Sequence, residues 1–352
     1  MRILHVITSL RTGGAEKLMV DLLPRLRDMG NKVELLLFDG TRTPFYEELE
    51  NSGIKIYSLL VGGNVYNPLN IFKLRKYLKK YDIVHTHNTA CQLFVAVCSL
   101  LCSVVYYTTE HNTSNRRRDW RWYKPIDKWM YTRYKKIICI SDQALTSLVN
   151  FHGKNDNNIV IYNGINLNKY LKPIKDITNK KEFIITMIAG FRYQKDQDTL
   201  IRALPLLPAN YKLWLIGDGE RRQELENLVT SLSLEYRVKF WGIRNDISQL
   251  LEQTDIVVLS SHWEGLSLSS IEGMASGRPF IASDVDGLRE IVKEYGVLFP
   301  HGDEKTLASE IKTLCENPEQ YKQIANACQT KAKQYDINIM AQKYNNLYHN
   351  QF

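Results

Sequence analysis

Short runs dominated by Val, Ile and Leu recur along nearly the whole of this chain, separated by segments with helical apolar spacing. In the first half the runs are 3–8, 32–38, 54–59, 83–86, 104–109 and 136–140. In the second they are 183–189, 211–216, 238–241, 256–259, 280–283 and 296–299. Amphipathic stretches such as 15–29, 68–80 and 92–101 lie between them, and 304–348 is rich in Lys, Glu and Gln with helical character. A strand that is apolar throughout needs cover on both faces, and a parallel sheet flanked by helices supplies it. The alternation lapses over 162–182, where the sequence turns polar, and 352 residues exceed one ordinary core. The expected architecture is therefore α/β: two doubly wound Rossmann-like domains facing a central cleft, 1–165 and 166–336. Ligands of such sheets bind at the carboxyl ends of the strands.

Charge and cysteine usage narrow the class. Up to residue 170 there are roughly 24 Lys and Arg against roughly 14 Asp and Glu, while the remainder is close to neutral. A basic half suits phosphorylated substrates, an anionic membrane surface or nucleic acid. No apolar run reaches the length of a membrane span, and the opening Met1–Ile7 reads as a first strand rather than a signal peptide. Six cysteines without CxxC or His pairing suggest buried thiols in a reducing cytoplasm.

The loops after the strands carry the chemistry. Glu264 follows the run 256–259, and Glu272 stands beyond seven intervening residues in a short helical segment. Between them Gly265, Leu266 and Ser267 lead toward a helix N-terminus, where backbone N–H groups favour an anion. Gly190 precedes Arg192 and Lys195, two cations at a strand end suited to a diphosphate. The turn Gly217-Asp218-Gly219 is fit for backbone contact with a flat ring. In the first half, Gly13-Gly14 enters a helix, and polar stretches containing His85, His87, His111 and Asn112 end two strands. A buried capping role is favoured for His85, whereas His111 is expected to face the cleft. Arg116, Arg117, Arg118, Trp120 and Trp122 interleave cations with aromatics, as at a lipid interface. Base stacking is the rival reading of that stretch.

Taken in order, GGAE, HTH, TEHN, ISD, YNGIN, AGFRYQK, IGDGE and E-GLSLSSI-E resemble the retaining glycosyltransferases of family four, which have the GT-B fold. The resemblance covers most of the chain. It implies that the second domain binds a nucleotide sugar, with Arg192 and Lys195 on the diphosphate, Glu272 on the ribose and Glu264 on the donor sugar. Gly265, Leu266 and Ser267 would offer backbone amides, His111 would face the transferred sugar, and Gly13-Gly14 the phosphate. A final helix, about 337–352, would pack back on the first domain. Two departures stand out: Asn166 and Asp196 occupy positions where the family usually has Asp and Gly.

The expected reaction is metal-independent retaining transfer of a sugar, UDP being the favoured carrier, in surface polysaccharide biosynthesis. Two fixed cations would replace a divalent ion, no cofactor being required. The acceptor is expected to be a glycan or polyprenyl-diphosphate-linked chain, with the enzyme peripheral on the inner face of the cytoplasmic membrane and no nucleic acid bound. His87, Asn112, Arg116, Arg117, Arg118, Trp120 and Trp122 are the acceptor or membrane candidates. The alternatives are a catalytically silent nucleotide-sugar-binding partner subunit and a sugar-nucleotide epimerase or phosphorylase on the same fold.

Overall fold

The computed structural model describes residues 1–11, 13–111 and 120–350. They fall into two compact units, Met1–Gly164 with Ile337–Phe352, and Ile165–Asp336. The first unit contains β1 (Arg2–Ile7), β2 (Lys32–Asp39), β3 (Lys55–Leu60), β4 (Ile83–His87), β5 (Val105–Glu110), β6 (Lys136–Cys139) and β7 (Asn158–Val160). These strands are parallel, in the order β3-β2-β1-β4-β5-β6-β7. Successive residues of β1 serve opposite cores. Ile3 and Ile7 pack with Leu18, Leu22 and Leu26 of the helix Gly14–Asp28, whereas Leu4 and Val6 pack with Leu74, Leu78 and Phe94. This two-sided burial is what the continuous apolar runs demanded. The helix Ile337–His349 joins the first of these cores through Met340, Tyr344 and Tyr348, a three-to-four-residue spacing that places them on one face.

The second unit contains β8 (Phe183–Ile188), β9 (Tyr211–Ile216), β10 (Val238–Gly242), β11 (Ile256–Leu259), β12 (Phe280–Ser283) and β13 (Val297–Phe299). Its parallel order is β10-β9-β8-β11-β12-β13. At the amino end of β11 the fully buried carboxylate of Asp255 accepts the Ile184 N–H at 2.7 Å and pairs with Lys175 at 2.9 Å and with Lys180. Burial pushes the Lys175 ammonium down to about 8, against the opposing pull of Asp255. The cluster fastens the segment entering this sheet at the end opposite the functional loops.

Each apolar run identified in the sequence forms a strand, with ends displaced by no more than one residue. β7 was not anticipated: its three residues lie at the sheet edge and are only half-buried, so they carry no continuous apolar run.

Candidate active site

Strand order in the second unit reverses where β8 lies beside β11, so the loops leaving those two strands meet. The loop after β8 brings Lys195, and the loop after β11 brings Glu264. The Lys195 ammonium is ion-paired with Glu264 Oε1, which also accepts a hydrogen bond from Ser261 Oγ at 2.8 Å. Glu264 is only 4 % exposed, and a carboxylate so buried requires partners of this kind. Three further bonds join the loops: His262 N–H to Gln194 O at 2.8 Å, Gln194 Nε2 to Trp263 O at 2.9 Å, and Ser260 Oγ to Asp196 O at 2.6 Å. Arg192 is exposed and has no ion-pair partner among the described residues. One cation is therefore balanced and fixed while the other is open to an incoming anion.

Asp196 explains its own departure from the family glycine. It sits in the left-handed region at φ 48°, where Asp is tolerated better than most residues. Its side chain then caps the helix Gln197–Ala203, accepting the Thr199 N–H at 3.3 Å and the Thr199 hydroxyl at 2.6 Å. Asn166 precedes the short helix Leu167–Tyr170 and makes no side-chain cap bond.

The glycines of the Gly217-Asp218-Gly219 turn have a packing reason that the sequence did not show. A Cβ on Gly217 would lie 2.1 Å from Ala189 O, and one on Gly219 would lie 2.5 Å from Phe191 O. The loop after β9 thus rests directly on the loop after β8, and Phe191 N–H donates to Asp218 O at 3.0 Å. Gly190 is less crowded, with 3.7 Å between an added Cβ and Asp218 O. Asp218 itself is exposed and accepts the Gly219 N–H at 2.8 Å. Gly265, buried Leu266 and Ser267 lead into the helix Leu268–Ala275, on which Glu272 is half-buried. Asp284-Val285-Asp286, an acidic pair with the spacing of a DxD metal motif, is engaged by Arg289, which bonds Asp284 at 2.5 Å and Asp286 at 3.2 Å.

The structure also adds residues that the sequence reading passed over. Tyr193 packs on His262 with ring centroids 4.5 Å apart, and Trp263 lies 6.1 Å from Tyr193. Both Tyr193 and Trp263 are exposed, giving the Lys195–Glu264 pair an aromatic border. The His-Trp dipeptide directly before Glu264 was the available signal.

In the first unit Gly13 precedes the helix Gly14–Asp28, and Gly14 is exposed at its start. His111 follows β5 and is half-buried, its imidazole pushed down to about 4 by burial. His87, an acceptor or membrane candidate on sequence, is fully buried at the end of β4 and touches His111 from within, Nδ1 to Nε2 at 2.9 Å. Its side chain faces the sheet core, as strand alternation from His85 dictates, so direct contact with an acceptor or membrane is closed to it. His85 is buried as well and bonds the Tyr348 hydroxyl at 2.5 Å and Thr109 Oγ1 at 2.8 Å. Trp120 and Trp122 are exposed and stacked on each other at 5.7 Å. Asn112, Arg116, Arg117 and Arg118 lie outside the described residues.

With this geometry in hand, comparison with known proteins gives a consistent result. Residues 12–169 match the model of Glycosyltransferase Family 4, and residues 171–331 match that of Glycosyl transferases group 1. An uncharacterized glycosyltransferase of Haemophilus influenzae is 27 % identical over 94 % of this chain and 95 % of its own. The UDP-Gal:alpha-D-GlcNAc-diphosphoundecaprenol alpha-1,3-galactosyltransferase of Escherichia coli is 28 % identical over 64 % of this chain and 63 % of its own. Among solved structures, Anabaena Alr3699/HepE in complex with UDP superposes with a TM-score of 0.88 at 25 % identity, covering 99 % of this chain and 100 % of that one.

Proposed function

That the chain belongs to the family-four glycosyltransferases of GT-B fold is the premise from which we propose its reaction. It transfers a sugar from a UDP-linked donor to a glycan acceptor carried on a lipid diphosphate, with retention at the anomeric carbon and without a metal ion. The observation that carries the reading is the pairing of Lys195 with buried Glu264 beside exposed Arg192, where the strand order of the second sheet reverses.

As the bond from C1 to the diphosphate oxygen breaks, negative charge grows on the leaving group. Arg192 and Lys195 take up that charge, the guanidinium offering a planar fork and the ammonium a point charge. Glu264 keeps Lys195 in place before the donor arrives and supports the electron-poor sugar without attacking it. Glu272 engages the ribose, the amides of Gly265, Leu266 and Ser267 the phosphate or sugar, Gly13 and Gly14 the phosphate, and His111 a sugar hydroxyl. A UDP donor is supported by the Anabaena structure holding UDP and by a second of the same protein holding UDP-glucose.

The lipid-linked acceptor is supported by the name of the Escherichia coli relative and by one face of the first unit. Leu69, Phe72, Leu101, Trp122, Ile126 and Trp129 are all exposed there. Cys98 reaches Ile71 O at 3.5 Å and Arg133 reaches Ser99 Oγ at 2.9 Å, so the segments bearing these residues are neighbours. The helix Asn70–Leu78 carries three basic residues and no acid, and the helix Lys124–Thr132 buries its single acid, Asp127. Apolar tips among cations suit the surface of an anionic bilayer. No helix among the described residues is long and apolar enough to cross a membrane.

The test is transfer by the purified protein from a panel of UDP-sugars, with the product anomer read by NMR. Arg192→Ala should keep the fold and abolish both transfer and the rise in melting temperature that UDP produces. Normal turnover in that variant, or loss of turnover on adding EDTA, overturns the assignment of charge neutralisation to Arg192 and Lys195; an inverted product overturns the stereochemistry alone.

A further inference from the structure

Three histidines from three adjacent strands form a hydrogen-bonded row inside the first unit. His5 lies on β1, His87 ends β4 and His111 directly follows β5. His87 occupies the middle: its Nε2 is 2.9 Å from His5 Nδ1, and its Nδ1 is 2.9 Å from His111 Nε2. The two terminal atoms of the row, His5 Nε2 and His111 Nδ1, are buried and have no partner among the described residues. His85 stacks on His87 at 4.6 Å but stands outside the row, because Tyr348 and Thr109 occupy both of its nitrogens. His5, His85 and His87 lie close enough together to suggest a metal site. Their nitrogens are otherwise engaged, however: His5 Nδ1 and His87 Nε2 face each other at hydrogen-bond distance, and both nitrogens of His85 are taken by Tyr348 and Thr109.

Burial pushes His5 down to about 3, His111 to about 4 and His87 well below the ordinary value, so all three rings are neutral near pH 7. A neutral imidazole has one N–H and one lone pair. Each link in the row needs a donor on one side and an acceptor on the other, which leaves two arrangements. Either all three rings carry hydrogen on Nε2 or all three carry it on Nδ1; any mixture sets two lone pairs or two N–H groups against each other. An orphaned buried donor is rarer in proteins than an under-satisfied acceptor. Both terminal nitrogens are buried, so one orphaned N–H lies at one end of the row in either arrangement; hydrogen on Nδ1 throughout leaves a bare lone pair on wholly buried His5 and puts that N–H on His111, the one residue of the three that keeps accessible surface.

We propose that His5 and His87 are positioning residues that lock His111 as the Nδ1–H tautomer, presenting a hydrogen-bond donor to an oxygen of the bound sugar. The consequence for transfer rests on the reading of His111 as a sugar-contacting residue; the tautomer lock does not. A sugar oxygen accepting from His111 is stabilised only in the fraction of molecules that carry hydrogen on Nδ1, and the row keeps that fraction near one.

Long-range ¹⁵N–¹H correlation spectra of the full-length protein, labelled in histidine, test the lock without substrate. At pH 7 His5, His87 and His111 should each show one protonated Nδ1 and one bare Nε2. In His87→Phe, His111 should move to averaged nitrogen shifts, and KM for the donor should rise by about twofold if the two tautomers become equally populated, with kcat little changed. His5→Phe provides a second variant should His87→Phe not fold, and His85→Phe should leave the His111 tautomer as it was. A wild-type His111 found as Nε2–H or as a mixture, or an unaltered tautomer in a folded His87→Phe, overturns the proposal whatever the activity. A shifted tautomer with unchanged transfer keeps the lock and removes His111 from the sugar.

Discussion

At the residue scale, Glu264 joins an observed contact to a proposed one. It is the carboxylate expected to face the donor sugar, and it is also the group that holds Lys195. Glu264→Gln should therefore lower the transfer rate by about 10²–10³ at little change in melting temperature, as measured by steady-state kinetics beside thermal denaturation. A loss below tenfold would mean that Lys195 finds its position without the pair. The buried histidines make a separate prediction. His5 and His111 are depressed from 6.5 to about 3 and about 4 in the folded chain. The unfolded chain therefore binds protons that the folded chain refuses between pH 6.5 and about 4. Stability is complete above pH 6.5 and falls on acidification, by about 2 kcal/mol for each such histidine at pH 5. Urea unfolding at pH 7 and pH 5 checks this. Most of the shifted carboxylates, Asp39 and Asp198 among them, are lowered from their ordinary range and act below this window.

Among the elements, the short helix Gln197–Ala203 depends on the residue before it. Asp196 meets two demands there, a left-handed backbone and a cap, and a substitution that meets neither should be costly. Asp196→Ala should destabilise the protein by about 1–2 kcal/mol, while Asp196→Gly, which loses the cap but relieves the backbone, should cost only a few tenths. Equal losses for both variants in chemical denaturation would show that the cap alone matters. The elements were largely legible in advance, because a strand covered on both faces must be apolar along its length. The exception, Asn158–Val160, was illegible for the same physical reason: an edge strand with one open side carries no such run. The paired glycines at 217 and 219 were visible, but their cause was not. They yield room to the carbonyls of Ala189 and Phe191, which are distant in sequence.

Over the whole molecule, the excess of Lys and Arg before residue 170 is the feature that no single site explains. The helices Asn70–Leu78 and Lys124–Thr132 place part of it beside exposed Phe72, Leu69 and Trp122. Binding to vesicles containing phosphatidylglycerol should therefore be measurable by co-sedimentation at low salt and should weaken steeply above about 0.15 M salt. The double variant Phe72→Glu, Trp122→Glu should abolish it while leaving transfer to a soluble acceptor intact; unchanged sedimentation would sink the membrane face. Sequence by itself determined the two doubly wound sheets, the family, and the placing of Arg192, Lys195 and Glu264 in loops after strands with Glu272 in a short helical segment. Those features are written in local periodicity and in short contiguous motifs. Tertiary structure alone decided that Lys195 is held by Glu264, that His87 is buried rather than presented, and that His5 stands in line with His111. Each of these contacts joins residues far apart in the chain, and only the parallel order of the strands brings them within hydrogen-bond distance.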